Sequence, residues 1–271
     1  MSIETNVFGD TVDGVLGEVL GGASDEVFLV NPTVGTLEAL LDVLDTATVR
    51  VNVLAAESQL KELSRDFKLA SRAADYEDDG RLTLSIYDEP ANTVVVTESF
   101  TTALVAGGSQ VAGLTTTEEG FVDATYDRYA AAFEDANAFD LRTPGTTHVS
   151  ETLAESLGEQ TAADFEAALA AMETARGDGT DLSEVTVALL VAARNEQLLY
   201  DISKWGEDTG VASKATFSRT KTDLEERGII DTEKVPIDVG RPRLRLKLAD
   251  DRLKNVSASE LASVAQSVLA K

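Results

Sequence analysis

The sequence predicts a chain in two parts, an α/β domain followed by a winged helix-turn-helix. Three observations predict it. Strand and helix patterns alternate over the first 140 residues, and the segment LRTPGTTHVS at 141–150 then combines Pro, Gly and Thr as a linker. Beyond it, three helical patterns lead into two alternating runs, in the one stretch of an acidic chain that keeps its cations.

Residues 9–21 read as a short helix ending at Gly21-Gly22. EVFLVN at 26–31 reads as a buried strand, and Asn31-Pro32-Thr33 turns it into a helix with Leu37, Leu40, Leu41 and Leu44 on one face. TVRVNVL at 48–54 alternates as a second strand, and a helix between two strands favours a parallel pair. SQLKELSRDFKLASRAADYE at 58–77 reads as one helix presenting Leu60, Leu63, Phe67 and Ala70. Strand patterns follow at 81–87, 92–98 and 101–107, separated by Asp88-Glu89-Pro90 and Ser99. QVAGL at 110–114 adds a short strand before a helix over 117–138 that carries Phe121, Tyr126, Tyr129 and Phe133. Residues 1–145 are thus expected to form an α/β sensing or dimerisation domain.

Residues 150–177 read as an alanine-rich connecting helix, with Phe165, Leu169 and Met172 at helical spacing and Gly177-Asp178-Gly179 as its stop. Residues 257–271 read as a C-terminal helix with Leu261, Val264, Val268 and Leu269 on one side. Each stripe suits either packing within its own domain or pairing across a dimer axis. The winged helix-turn-helix is expected over 178–256. Asp181 or Ser183 caps a helix over VTVALLVAARN, and a second helix through LLYDISKWGED presents Leu199, Ile202 and Trp205 before Thr209-Gly210 ends it. Val211 plugs the turn, Ser213 caps a third helix, and Gly228 stops that helix. Trp205 and Phe217 read as core residues. IIDTEKV and RLRLKLA then form a hairpin around PIDVGRP. Alternation points Leu244, Leu246 and Leu248 at the helices, leaving Arg243, Arg245 and Lys247 on the other face and Arg241 at the tip.

Composition narrows the function. The chain has 48 Asp and Glu against 23 Lys and Arg, a net charge of −25, and only nine lysines. Such a surface suits a protein dissolved in concentrated salt, where screening tolerates self-repulsion. Residues 204–254 escape this pattern, with 12 cations against 10 anions, whereas residues 1–203 hold 10 against 37. A segment that keeps its cations in such a chain is expected to meet a polyanion. The chain has no cysteine and one histidine, His148 in the linker, so thiolate, disulfide, zinc-finger and metal-cluster chemistry are not expected. No cofactor is expected either. No apolar run reaches the ~20 residues that span a bilayer, and MSIETNVFGD lacks a signal peptide's features, so a cytoplasmic protein without a membrane partner is expected.

The third helix carries the functional expectation. Phe217 and Leu224 look inward, while Ser213, Lys214, Thr216, Ser218, Arg219, Thr220 and Lys221 supply a cationic, hydroxyl-rich face with no carboxylate before Asp223. A helix in the major groove needs donors for phosphates and short or cationic side chains for base edges. Arg241, Arg243 and Arg245 of the wing suit the backbone or a narrow minor groove.

The run from Ile202 to Ile230, with Thr209-Gly210-Val211, Ser213 to Arg219 and Leu224 to Ile230, resembles the winged helix-turn-helix of many prokaryotic repressors. In its order of parts and its acidity the whole chain resembles the haloarchaeal TbsP-type transcriptional regulators. That resemblance implies a link to the sugar-responsive TrmB network that controls central carbon metabolism, and the winged helix-turn-helix itself is expected to bind double-stranded promoter DNA as a homodimer, one recognition helix per half-site. The first domain is similar to TrmB-like effector domains, which resemble phospholipase D folds. Members of that enzyme class need histidine and lysine side by side. This chain lacks the pair, so no enzyme activity is expected. Asn31, Thr33 and Thr36 at a helix start, with Glu57 and Asp88 at strand ends, are the candidates for binding a small sugar or phosphorylated metabolite. The competing reading is a ligand-binding α/β protein whose winged helix contacts other proteins.

Overall fold

The computed structural model describes residues 6–23, 26–172, 182–236 and 242–269. The chain divides into two compact units, Met1–Leu141 and Arg142–Lys271. Among the described residues no helix is long and apolar enough to cross a membrane.

The first unit contains β1 (Val7–Gly9), α1 (Val12–Gly21), β2 (Glu26–Val30), α2 (Val34–Leu44), β3 (Arg50–Ala55), α3 (Glu57–Leu63), α4 (Phe67–Asp78), β4 (Leu82–Ile86), β5 (Val94–Val96), β6 (Thr101–Gly107), β7 (Gln110–Thr116), α5 (Glu119–Asp135) and β8 (Asn137–Ala138). The strands form one mixed sheet in the order β1-β7-β6-β5-β2-β3-β4-β8. β2, β3 and β4 are parallel, joined by helical crossovers, and the remaining pairs are antiparallel. Alternation along β2 feeds two cores. Val27 and Leu29 pack with the leucines of α1, α2, α3 and α4, whereas Phe28 and Val30 pack with Tyr126, Tyr129 and Phe133 of α5. Phe28 meets Tyr126 edge-on at 5.5 Å and Phe133 at 5.7 Å.

Local chemistry sets the element ends. Thr33 caps α2 by accepting from the Thr36 amide at 3.2 Å. The single helix expected over 58–77 is two, because the Asp66 carboxylate accepts from the Leu69 amide at 3.1 Å and starts α4 afresh. The helix expected from residue 9 starts at Val12 behind the Thr11 cap, and Val7–Gly9 pairs with β7 instead. The helix expected to reach 138 ends at Asp135, leaving Asn137–Ala138 to pair with β4.

The second unit contains α6 (Thr146–Leu157), α7 (Glu159–Ala170), α8 (Glu184–Arg194), α9 (Leu199–Asp208), α10 (Lys214–Glu226), β9 (Ile230–Val235), β10 (Arg243–Leu248), α11 (Asp251–Lys254) and α12 (Ala258–Leu269). The connecting helix expected over 150–177 is two helices, broken where Gly158 adopts φ +95°, a conformation open to glycine. The Gly177-Asp178-Gly179 stop lies outside the described residues. α6 starts inside the expected linker, so His148 is an exposed helical residue.

α8 is the hub, buried from Val185 to Ala193 and capped by Ser183, which accepts from the Thr186 amide. The alternative cap, Asp181, lies outside the described residues. Trp205 of α9 is buried, meets Phe165 of α7 edge-on at 6.0 Å, and donates Nε1–H to Thr152 of α6 at 3.1 Å. These contacts fasten α6 and α7 to α9. The apolar side of α7 and that of α12 are likewise spent inside this unit, where Phe165, Leu169, Leu261, Ala262 and Ala265 are buried.

Candidate nucleic-acid interface

α9, its turn and α10 make the helix-turn-helix. Thr209 ends α9 through its amide on the Trp205 carbonyl, Gly210 takes φ +82°, and the Ala212 amide reaches back to the Gly206 carbonyl at 3.0 Å. Ser213 caps α10 by accepting from the Thr216 amide at 3.2 Å, and the two hydroxyls lie 3.0 Å apart. α10 ends as a Schellman turn. Gly228 at φ +68° sends its amide to Glu225, and Ile229 sends its amide to Leu224, each at 2.9 Å.

Phe217 and Leu224 are buried, which fixes the roll of α10. Its outward stripe is Ala215, Ser218, Arg219, Thr222, Asp223 and Glu226, all exposed. The stripe carries no carboxylate before Asp223. Thr222, which the sequence reading left out, lies on it, with its hydroxyl bonded to the Ser218 carbonyl at 3.0 Å. Thr216 and Thr220 are half-buried flanks.

Lys221 departs from expectation. Its side chain is 12% exposed and donates to Glu225 at 2.6 Å, while Glu225 also accepts from Thr232 of β9 at 2.7 Å. At about 100° per residue Lys221 stands only about 40° from Phe217, so it belongs to the inner flank, whereas Arg219 stands about 160° away. Burial pushes the Glu225 carboxyl up, but the hydrogen bonds from Lys221 and Thr232 and the Lys221 charge outweigh it and hold the group below its ordinary value. Lys214 is also engaged, with Glu207 of α9. The hydrogen bond from Lys214 holds the Glu207 carboxyl below its ordinary range.

The wing is the pair β9 and β10, registered Leu248 to Ile230, Leu246 to Thr232 and Arg245 to Glu233. Leu246 is fully buried and Leu244 and Leu248 partly so, as alternation requires. A third, minimal strand joins the pair, with Leu198 bridged to Arg245 and the Leu246 amide donating to the Gln197 carbonyl at 2.9 Å. Gln197 in turn donates to the Leu157 carbonyl and the Thr161 hydroxyl, each at 2.9 Å, which ties the wing root to the α6–α7 junction.

The wing cations are unequal. Arg243 is held at 3.3 Å from Asp201 and stacks 4.4 Å over the Tyr200 ring, and Lys247 pairs with Glu233 at 2.7 Å. Arg241 lies outside the described residues. Among the described residues of 204–254, Arg219, Lys234 and Arg245 have no ion pair, and of these Arg219 sits on the outward stripe of α10 while Arg245 sits on the outer face of β10.

In the first unit the structure brings the candidate ligand residues to the ends of β2, β3 and β4, where their polar groups bond within the unit. Asn31, at φ 48°, donates its side-chain amide to the Ala91 carbonyl. Thr33 and Thr36 share hydroxyls at 3.0 Å, and the Val34 amide is taken by Gln59 at 2.9 Å. Asp88 accepts from the Glu57 amide at 3.1 Å, and the Glu57 carboxylate pairs with Lys61 at 2.9 Å.

A helix-turn-helix with a paired-strand wing, in a chain whose other unit is α/β on a mixed sheet, is an architecture that transcriptional regulators use. The chain belongs to the TbsP-like family. Residues 4–144 match the description "Transcriptional regulator TbsP-like, N-terminal", and residues 145–266 match "Transcriptional regulator TbsP-like, C-terminal HTH domain". Among solved structures the chain is similar to one described as that of TrmBL2, an archaeal chromatin protein with a novel mode of DNA binding. The identity is 14%, the TM-score is 0.36, and the match covers 51% of this chain and 55% of that one. No curated protein matches the chain.

Proposed function

We propose that this regulator reads promoter DNA as a dimer, laying one α10 in the major groove of each half-site. Ser218, Arg219 and Thr222 face the base edges, Ser213, Lys214, Thr216 and Thr220 flank them, and Arg245 with the wing follows the backbone. The observation that carries the reading is the outward stripe of α10, free of carboxylate from Ala215 to Thr222 and holding the unpaired Arg219, in a chain of net charge −25. Acidity with few lysines supports a halophilic setting. The family resemblance supports control of central carbon metabolism in an archaeon. A sugar or phosphorylated-metabolite effector has less support, because Asn31, Thr33, Thr36 and Asp88 and the Val34 and Glu57 amides already bond one another or their neighbours.

The test is selection of duplexes from a random pool by the full chain in molar salt, followed by titration of Arg219→Ala against the selected sequence. The wild type is expected to enrich a two-fold symmetric sequence. Arg219→Ala is expected to lose about 1–3 kcal/mol of discrimination at one base pair per half-site. Enrichment of no sequence, or unchanged discrimination by the variant, overturns the reading.

A further inference from the structure

The sheet of the first unit is covered unequally. On one side α1 packs over β1 and β7, so that a side chain at Gly113 would meet Val15 and Val19. On the other side α5 packs over β5 and β2 through Tyr126, Tyr129 and Phe133. The same side of β6, β7 and β1 stays open, with Phe8 69%, Val105 45% and Leu114 44% exposed. Register makes these residues one surface. Phe8, Ala112 and Val105 form a row across the three strands, and Leu114 and Ala103 form the next.

This face is also without charge. From Ser99 to Thr117 there is no Asp, Glu, Lys or Arg, in a chain that is 26% charged. An edge hairpin that faced water throughout the protein's life would be expected to carry charges against association, all the more in so acidic a chain. The absence of both signs selects the partner. Nucleic acid would call for cations here, and a basic protein would call for carboxylates. A second copy of the chain, with the same −25, brings no carboxylate against another and strips water from none when it closes on this surface. The relief is uneven as well, since large Phe8, Val105 and Leu114 alternate with small Ala112 and Ala103, which gives the face both knobs and hollows.

We propose that the open β6–β7–β1 face, centred on Phe8, Val105 and Leu114, is the surface on which two copies of this chain dock about a two-fold axis. The proposal deepens the dimer reading above and places the contact on the α/β unit, away from α7 and α12.

The test uses the full chain without DNA, in molar potassium chloride. Sedimentation velocity of the wild type is expected to show a dimer. Leu114→Glu and Val105→Glu are each expected to weaken association about tenfold or more, because each buries a carboxylate without a partner in the contact. Their thermal unfolding should stay close to that of the wild type when both are compared at concentrations where the wild type is monomeric, because Val105 and Leu114 are 45% and 44% exposed. The chain lacks cysteine, so a nitroxide on Leu114→Cys reports one site. It is expected to give a single intermolecular distance that disappears on dilution with unlabelled chain. A monomeric wild type overturns both this proposal and the dimer reading. A dimer untouched by both glutamates, or a label with no intermolecular distance, overturns this surface alone and leaves DNA reading by α10 to be judged by the Arg219 variant.

Discussion

Lys221 lies 2.6 Å from Glu225, and Glu225 holds Thr232 of the wing at 2.7 Å, so this recognition-helix cation binds α10 to β9 instead of facing outward. Lys221→Ala leaves a part-buried carboxylate short of a partner, and the cost is expected to be about 1–3 kcal/mol of stability. Denaturant unfolding should register it. Affinity for selected DNA should fall far less per mole folded than it does in Arg219→Ala. Equal loss of affinity in the two variants would return Lys221 to the DNA-contacting face.

Gly206 of α9 lies directly under the Phe217 ring of α10, and a Cβ there would overlap the ring. The residue lies in the last turn of α9 and does not have a positive φ, so the reason for glycine is close approach and not backbone conformation. Gly206→Ala is expected to cost about 1–3 kcal/mol through overpacking, although alanine is the better helix former. Calorimetry of the full chain should show the transition of the second unit lowered. A stability equal to or above wild type would mean that α9 and α10 do not pack this tightly.

Much of this was legible in the sequence because the signals are local. The parallel pair β2 and β3 follows from two apolar runs around one helix, and Thr33, Ser183 and Ser213 stand where caps are wanted. The α3–α4 break was hidden because Leu60, Leu63, Phe67 and Ala70 keep helical spacing straight through Asp66. β1 and β8 were hidden for a different reason. They are three and two residues long and exist through pairing with β7 and β4, far away in the chain. At the site, Arg219 and Ser218 could be read from composition alone. Placing Thr222 outside and Lys221 inside required the helical roll, which Phe217 and Leu224 already encode.

Glu77 of α4 supplies a pH test. Burial raises its carboxyl to about 7; a hydrogen bond from the Leu84 backbone partly opposes the rise, and the charges of Asp78 and Asp140 reinforce it. A carboxyl whose folded value lies above its unfolded value of 4.5 binds more protons folded than unfolded between those values. Stability of the first unit therefore falls as pH rises from about 4.5 to 7, and the penalty is complete above 7. Glu77→Gln removes a charge that is costly at pH 8. It is expected to stabilise the unit there by about 1–2 kcal/mol, after allowance for solvent screening of a half-buried group. The gain should vanish below pH 4.5. Hydrogen exchange of β4 amides at the two pH values measures it, and a gain independent of pH would assign the effect to packing.

Arg219 and Arg245 are expected to separate under salt. Arg245 has no ion pair and lies on the outer face of the wing, so as a phosphate contact it releases counterions and is indifferent to sequence. Arg245→Ala should weaken operator and scrambled duplexes alike and lower the slope of log affinity against log salt by about 1 per half-site. Arg219→Ala should weaken the operator selectively and barely change the slope on scrambled DNA. Most other cations of 204–254 are already paired within the unit, so the wild-type slope itself should be shallow and specific binding should survive in molar salt, where counterion release contributes little. Fluorescence anisotropy on both duplexes across a salt series measures all three quantities. A steep wild-type slope, or the same pattern of loss in both variants, would mean that the ion pairs open on DNA and that the helix and wing do not divide the work in this way.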